Sequence, residues 1–132
     1  MSYLLDSDVV IDFLKQKDPG FSLVSKIIEE KLYISIVSWV EILYGIKKAK
    51  LVPKRSTQFN DFLQELNIEI IPINQEIGTL FVDLKINLEN KGEKLADFDI
   101  LIASTTKAYK LMLVTRNLKH FNRVPGLKIL KG

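Results

Sequence analysis

An α/β fold, with a short, mostly parallel sheet of four or five strands lying between helices, is what the sequence of 132 residues predicts. Two observations carry this. Short apolar runs rich in β-branched residues alternate with stretches of helical spacing, as repeated βα units do. Isolated carboxylates stand at the ends of those units, where the loops of an open parallel sheet form a binding crevice.

In chain order, SYLLD (residues 2–6) reads as the first strand, and Ser7 as the N-cap of a helix carrying Val9, Val10, Phe13 and Leu14. Pro19 and Gly20 break that helix. Residues 22–30 suggest a second helix, LYISI (32–36) a second strand, and SWVEILYGIKKA a third helix. Pro53 opens a helical stretch through Phe59, Phe62, Leu63 and Leu66, and the β-branched run IEIIPI follows at 68–73. A helix over 75–90 ends near Asn90 and Gly92. Then come a helix capped by Asp97, a strand LMLVT at 111–115 and a candidate last strand at 127–130. No repeat, low-complexity tract or linker interrupts the series, so residues 1–132 are expected to form one domain.

Composition narrows the function classes. The chain has no cysteine, which removes disulfide frameworks, Cys-based zinc sites and thiol nucleophiles and agrees with a reducing, intracellular home. Hydrophobic residues at 47% and charged residues at 27% argue against disorder. The opening MSYLLDSDVVID lacks a basic leader and meets Asp6 too early for a signal peptide or membrane span, so a soluble, cytoplasmic protein is expected. Net charge is only +3, but residues 100–132 hold seven basic side chains and no acidic one, against twelve basic and sixteen acidic before them. That asymmetry suits a polyanion approaching an acidic site, although on charge alone ordinary solubilising charge is the favoured reading.

Three carboxylates look out of place. Asp6 closes the first strand between YLL and VVI; Glu41 is the only charge in ISIVSWVEILYGI; Asp99 lies in the first turn of a helix that continues ILIA. Burying such groups is costly unless a cation, a donor or water meets them, and their mutual repulsion makes a divalent metal the natural compensation. Oxygen ligands without a His or Cys cluster point to Mg²⁺, with Mn²⁺ as the alternative, rather than zinc. Such an ion can activate water and stabilise charge as a phosphodiester is cleaved. Helix N-termini account for Asp12 and Asp97; for Asp8 the cap and the metal site stand even. For Glu41, inside its helix, the bland reading is a buried salt bridge to a lysine. His120 is the only histidine and reads as a loop residue near phosphate. Ser35, Ser38 and Ser104 have no nucleophile-elbow context. Trp39 and Tyr44 read as core, and the basic run Lys47, Lys48, Lys50, Lys54 and Arg55 as a solvated face, with an RNA track as its sharper reading.

Taken together the motifs resemble a family. YLLDSDVVIDFL is similar to the opening of PIN domains, and ISIVSWVEILYGIKK to their Ser-x-x-Ser/Thr-x-x-Glu helix, with Ser35, Ser38 and Glu41 on the pattern. GEKLADFDILIAS resembles the segment whose final Asp is Asp99 here. LMLVTRNLKHFNRVPGLKI resembles the ending of the VapC toxins, with Thr115, Asn117, Phe121, Arg123, Pro125 and Gly126 in place. The resemblance spans nearly the whole chain. It implies a PIN-like three-layer α/β/α domain and a Mg²⁺-dependent endoribonuclease, the toxin of a toxin–antitoxin pair. It further implies Asp6, Glu41, Asp99 and Asn117 as catalytic residues, Asp6 and Asp99 as principal metal ligands with Glu41 completing the set, and Asp8, Asp97 and Asn117 as weaker ligands. Arg116, Lys119, Arg123 and Ser38 become the candidate RNA contacts, and an antitoxin and a second copy of the chain the implied protein partners. Two positions depart from the pattern: Asn117 stands where many members have Asp, and His120 where an acid often precedes the Phe, both removing negative charge.

Other classes fit less well. The Asp6-Ser7-Asp8 opening is similar to that of haloacid-dehalogenase-like phosphatases, but no acid follows the Thr-ended strand, as their late motif requires. A response-regulator receiver fails because IEIIPI does not end in Asp. A non-catalytic nucleic-acid-binding or partner module with purely structural carboxylates is the remaining alternative.

Overall fold

A computed structural model describes residues 1–50 and 52–131. Strand β1 (Ser2–Leu5) leads through Asp6 into α1 (Ser7–Leu14), and α2 (Gly20–Lys26) precedes β2 (Lys31–Ser35). Helices α3 (Ile36–Lys48) and α4 (Val52–Glu65) lead to β3 (Glu69–Ile71). Then follow α5 (Gln75–Asn90), α6 (Asp97–Ala108), β4 (Met112–Val114) and the short α7 (Leu118–Phe121). Among the described residues the four strands form one fully parallel sheet in the order β3-β2-β1-β4. No helix there is long and apolar enough to cross a membrane.

Strand alternation makes the expected three layers, because successive side chains point to opposite faces. Tyr3, Leu5, Leu32, Ile34 and Val114 face one core with Val9 and Val10 of α1, Val24 of α2, Ile42 of α3 and Phe59 and Phe62 of α4. Leu4, Leu113 and Ile71 face the other with Ile77 of α5, Ile102 and Ala103 of α6, and Phe121. Helix α3 spans both, burying Val37 on the second side and Ile42 on the first. Each face of the sheet is therefore covered, as an all-parallel sheet requires.

Several boundaries move from the sequence expectation. The cap of α1 is Asp6, not Ser7: the Asp6 Oδ1 accepts the Ser7 N–H at 2.8 Å. The second helix spans Gly20–Lys26 rather than 22–30, and Ile36 begins α3, with the Ser35 hydroxyl accepting the Val37 N–H, rather than ending β2. Asp97 opens α6 but makes no capping bond, since Ala96 occupies the cap. The candidate strand at 127–130 shrinks to one parallel bridge between Ile129 and Leu113, closing the outer edge of β4. His120 lies in α7 rather than in a loop.

Asp12, expected at a helix N-terminus, serves the next helix. Its Oδ2 accepts the Gly20 N–H at 3.0 Å, at the start of α2. The approach is close enough that a Cβ at Gly20 would lie 2.4 Å from the Asp12 Cβ. Relief of that clash requires α1 and α2 to part. Gly20→Ala should therefore lower unfolding free energy by about 1–3 kcal/mol, as overpacking does, measured by denaturant titration; an unchanged midpoint would contradict this packing.

Candidate active site

The site grows from the carboxyl ends of β1 and β4. Parallel pairing sets Leu5 beside Val114, and the Asp6 N–H continues the ladder to the Val114 carbonyl at 2.9 Å. The next residue on each chain then meets across the strand ends. The Thr115 hydroxyl lies 2.8 Å from Asp6 Oδ2 and 3.3 Å from Asp8 Oδ2, so its one hydrogen has two acceptors. The Arg116 N–H donates to the same Asp8 oxygen at 3.1 Å. Asp8, left even between cap and site by the sequence, thus faces the crevice.

Asp6 is only 7% exposed. Burial, with repulsion from Asp8 and a smaller repulsion from Asp99, pushes its carboxyl up to about 7, against the opposing bonds from Thr115 and Ser7. Burial also raises the Asp8 carboxyl, with the Arg116 N–H and guanidinium opposing. Asp8 Oδ1 is buried without a hydrogen-bond partner. Asp99, in the first turn of α6, is likewise raised by burial, against the influence of His120, whose Nδ1 is 3.7 Å from Asp99 Oδ2.

The remaining candidates divide. Glu41 reaches the site through Ser7, whose hydroxyl donates to Oε1 at 2.7 Å; it is exposed, so the buried lysine bridge considered for it does not form. Asn117 joins the Asp99 side, its Nδ2 lying 2.8 Å from His120 Nδ1 while its N–H donates to the Thr115 hydroxyl. Asp97 turns away, its exposed carboxylate paired with Lys85 at 2.9 Å. Ser38 is fully buried with an unpartnered Oγ, a position from which it cannot touch RNA. Lys119 is exposed, Arg123 donates to the Lys94 carbonyl at 3.0 Å, and Arg116 is drawn between Asp8 and Asp12. Lys47 and Lys48 end α3 and Lys54 and Arg55 begin α4, with Lys47, Lys48, Lys50 and Lys54 exposed. Tyr44 is 64% exposed and not core, whereas Trp39 packs against the first core.

An oxygen-rich crevice with a buried, orphaned carboxylate oxygen is suited to a hard cation. No three Asp, Glu or His side chains among the described residues are gathered closely enough to enclose one by themselves. An ion held here would have to take few protein ligands and keep several waters, as Mg²⁺ can. In the sequence Thr115 stands out only as part of a matching motif. Its signal was present, however: a hydroxyl residue ending the strand that neighbours the Asp6 strand.

The sequence profile described as PIN domain matches residues 3–127. Ribonuclease VapC2 of Rickettsia felis is 30% identical over 129 residues, covering 96% of this chain and 95% of that protein. The crystal structure of VapBC2 from Rickettsia felis bound to a promoter DNA fragment superposes with a TM-score of 0.88 at 28% identity, over 98% of each chain. A toxin–antitoxin complex from Klebsiella pneumoniae superposes with a TM-score of 0.72 at 26% identity, over 95% of this chain and 94% of that one.

The raised Asp6 carboxyl fixes the sign of a pH effect. Between about pH 4 and 7 the unfolded chain loses the proton that the folded, metal-free protein keeps, so stability falls as pH rises through that window and stays reduced above it. Asp6→Asn should flatten this slope. The variant should exceed the parent by on the order of 4 kcal/mol at pH 8 and converge with it near pH 4. Chemical melts in chelator across that range check it, and parallel pH profiles would refute it.

Proposed function

The chain belongs to the PIN domain family, and on that premise we propose that it cleaves RNA in the acidic crevice with Mg²⁺, or Mn²⁺, held by Asp6 and Asp99. The relatives make it a VapC-type ribonuclease, a hydrolase of phosphodiester bonds. The observation that carries the metal reading is the buried Asp6 carboxylate, bonded through Thr115 to Asp8 and repelled by both Asp8 and Asp99. Asp8 Oδ1 offers a further open donor atom. A bound divalent ion would supply Lewis acidity and lower the pKa of water beside the scissile phosphate.

The chain's own side chains do the rest. The Ser7 N–H and Thr115 O–H fix the two Asp6 oxygens, so that the carboxylate enters the reaction already oriented. Glu41, exposed and oriented by the Ser7 hydroxyl, is the group placed to take a proton from attacking water. Asn117 and His120 line the opposite rim as hydrogen-bonding groups that bring no negative charge. Lys119 and Arg123 supply phosphate contacts from the basic C-terminal third.

Membership also implies the toxin role and a cognate antitoxin, since a similar chain from Klebsiella pneumoniae is part of a toxin–antitoxin complex. A second copy belongs to the same proposal. Val82 and Ile86, one turn apart on α5, and Phe98 on α6 leave apolar surface for it to cover.

Asp99→Asn should reduce cleavage on the order of 100-fold, the scale of a lost transition-state contact, without lowering the metal-free melting temperature. Full cleavage in chelator would overturn the metal reading. In a second test, neutralising Lys119 and Arg123 together should make the slope of log RNA affinity against log salt shallower by about 1.4, at ~0.7 for each single-strand phosphate contact. An unchanged slope would place the RNA elsewhere.

A further inference from the structure

Asp12 and Arg116 are two charged groups in the crevice wall without a part in this scheme. Asp12 is 5% exposed, an unusual setting for a carboxylate. It lies on α1 one helical turn beyond Asp8, so the two carboxylates share a helix face. Arg116 runs along that face from the end of β4. Its Nε is 3.3 Å from Asp12 Oδ2 and 3.9 Å from Asp8 Oδ2. The backbone of Arg116 is pinned to Asp8 by its own N–H, so rotamers that bring the guanidinium to the acidic crevice are within its reach.

That tether poses a problem for a cation site. A guanidinium offers five donors in a planar fork and pairs readily with carboxylates. Free to turn, it would compete for the oxygens of Asp8 and Asp6 and cancel the charge a divalent ion needs. We propose that Asp12 is a positioning residue that draws the Arg116 guanidinium to itself, limiting its pairing with Asp8 and keeping it off Asp6, and so keeps the crevice open to a cation. This inference rests on the metal reading above.

Three features make Asp12 the stronger partner. It is the nearer carboxylate to Nε, and its burial strengthens the attraction relative to a solvated pair. The accepting oxygen is also fixed, because Asp12 Oδ2 holds the Gly20 N–H at 3.0 Å. Finally, Gly20 packs directly on the Asp12 side chain, leaving no room for it to turn away on that side. Asp8 keeps the Arg116 N–H but is spared the full guanidinium, and its Oδ1 stays open.

The test is a double-mutant cycle read by cation binding, taken as the rise in melting temperature of each purified variant over its own metal-free state during Mn²⁺ titration. Asp12→Asn keeps an acceptor for Gly20 but loses the charge that holds Arg116. It should weaken Mn²⁺ binding roughly tenfold, the scale of one opposed charge at this range. Adding Arg116→Gln to Asp12→Asn should restore binding, because the competing cation is gone. Parental binding in Asp12→Asn would overturn the proposal. So would a double variant as weak as the single, which would reduce Asp12 to a structural bond between α1 and α2. Arg116→Gln alone tests the idea if Asp12→Asn does not fold. It should bind Mn²⁺ at least as tightly as the parent, with an unchanged salt slope for RNA; a shallower slope would make Arg116 a phosphate contact and overturn the proposal. Failure of the parent chain to bind Mn²⁺ at all would overturn the underlying metal reading, and this inference with it.

Discussion

The register of β1 against β4 is the constraint on which the rest of the molecule depends. It aligns Leu5 with Val114 and thereby sets Asp6 opposite Thr115 at the strand ends. Hydrophobic packing enforces that register, because Leu4 and Leu113 belong to one core and Leu5 and Val114 to the other. A slip by one residue would exchange those faces and carry Asp6 away from its donors. The acid is thus placed by residues that have no chemistry of their own, and the energetic cost of burying it falls on the two cores rather than on the crevice. Two hydrogen bonds to Asp6 offset only part of its desolvation, which is why its proton is held up to about pH 7.

Side chains around the crevice serve that placement in different ways. Lys85 binds Asp97 at the first residue of α6, and Arg123 binds the Lys94 carbonyl in the segment leading to it. Both contacts anchor the entry to the helix whose first turn carries Asp99. Asp97, a candidate metal ligand by sequence, is better understood as part of that anchor, since its carboxylate already has a cation at 2.9 Å. Basic charge in the C-terminal third is likewise not one undivided surface. Arg116 pairs inward and Lys107 donates to the Pro125 carbonyl, whereas Lys119 is open to solvent.

Much of this was legible in the sequence, and the failures have physical causes. Element order, the strand-end location of Asp6 and the helix-first-turn location of Asp99 follow from periodicity and from the isolation of those acids in apolar runs. The same reasoning misjudged Glu41. Its apolar neighbours suggest burial, yet Val40 and Tyr44 are exposed with it, because α3 turns that side outward. Ser7 and Asp6 are adjacent and both good caps, and only the backbone geometry decides for Asp6. The four-residue α7 is too short to show a helical period, so His120 was read as loop. A helix N-terminal role for Asp12 is legible, but not which one, because its partners, Gly20 and Arg116, come from the next helix and from the far end of the chain.

The two sides of the crevice differ in charge, and that difference bears on how many cations it can attract. On the β1 side Asp6 and Asp8 repel one another across a shared hydroxyl, and burial raises both. On the α6 side Asp99 is joined by His120, whose Nδ1 is 3.7 Å away, and by the Asn117 amide 2.8 Å beyond it. The shorter contact is the hydrogen bond; with a neutral ring, Nδ1 accepts from the amide, and with a protonated ring the reversed amide accepts from Nδ1. Neither state adds negative charge, and the second removes some from Asp99. Attraction for a cation is therefore concentrated between Asp6, Asp8 and Asp99, and the far rim offers a second ion only an amide oxygen. Under the proposed metal reading, a field of this shape would favour one ion over a matched pair, with the substrate phosphate supplying the negative charge that the Asn117 side lacks.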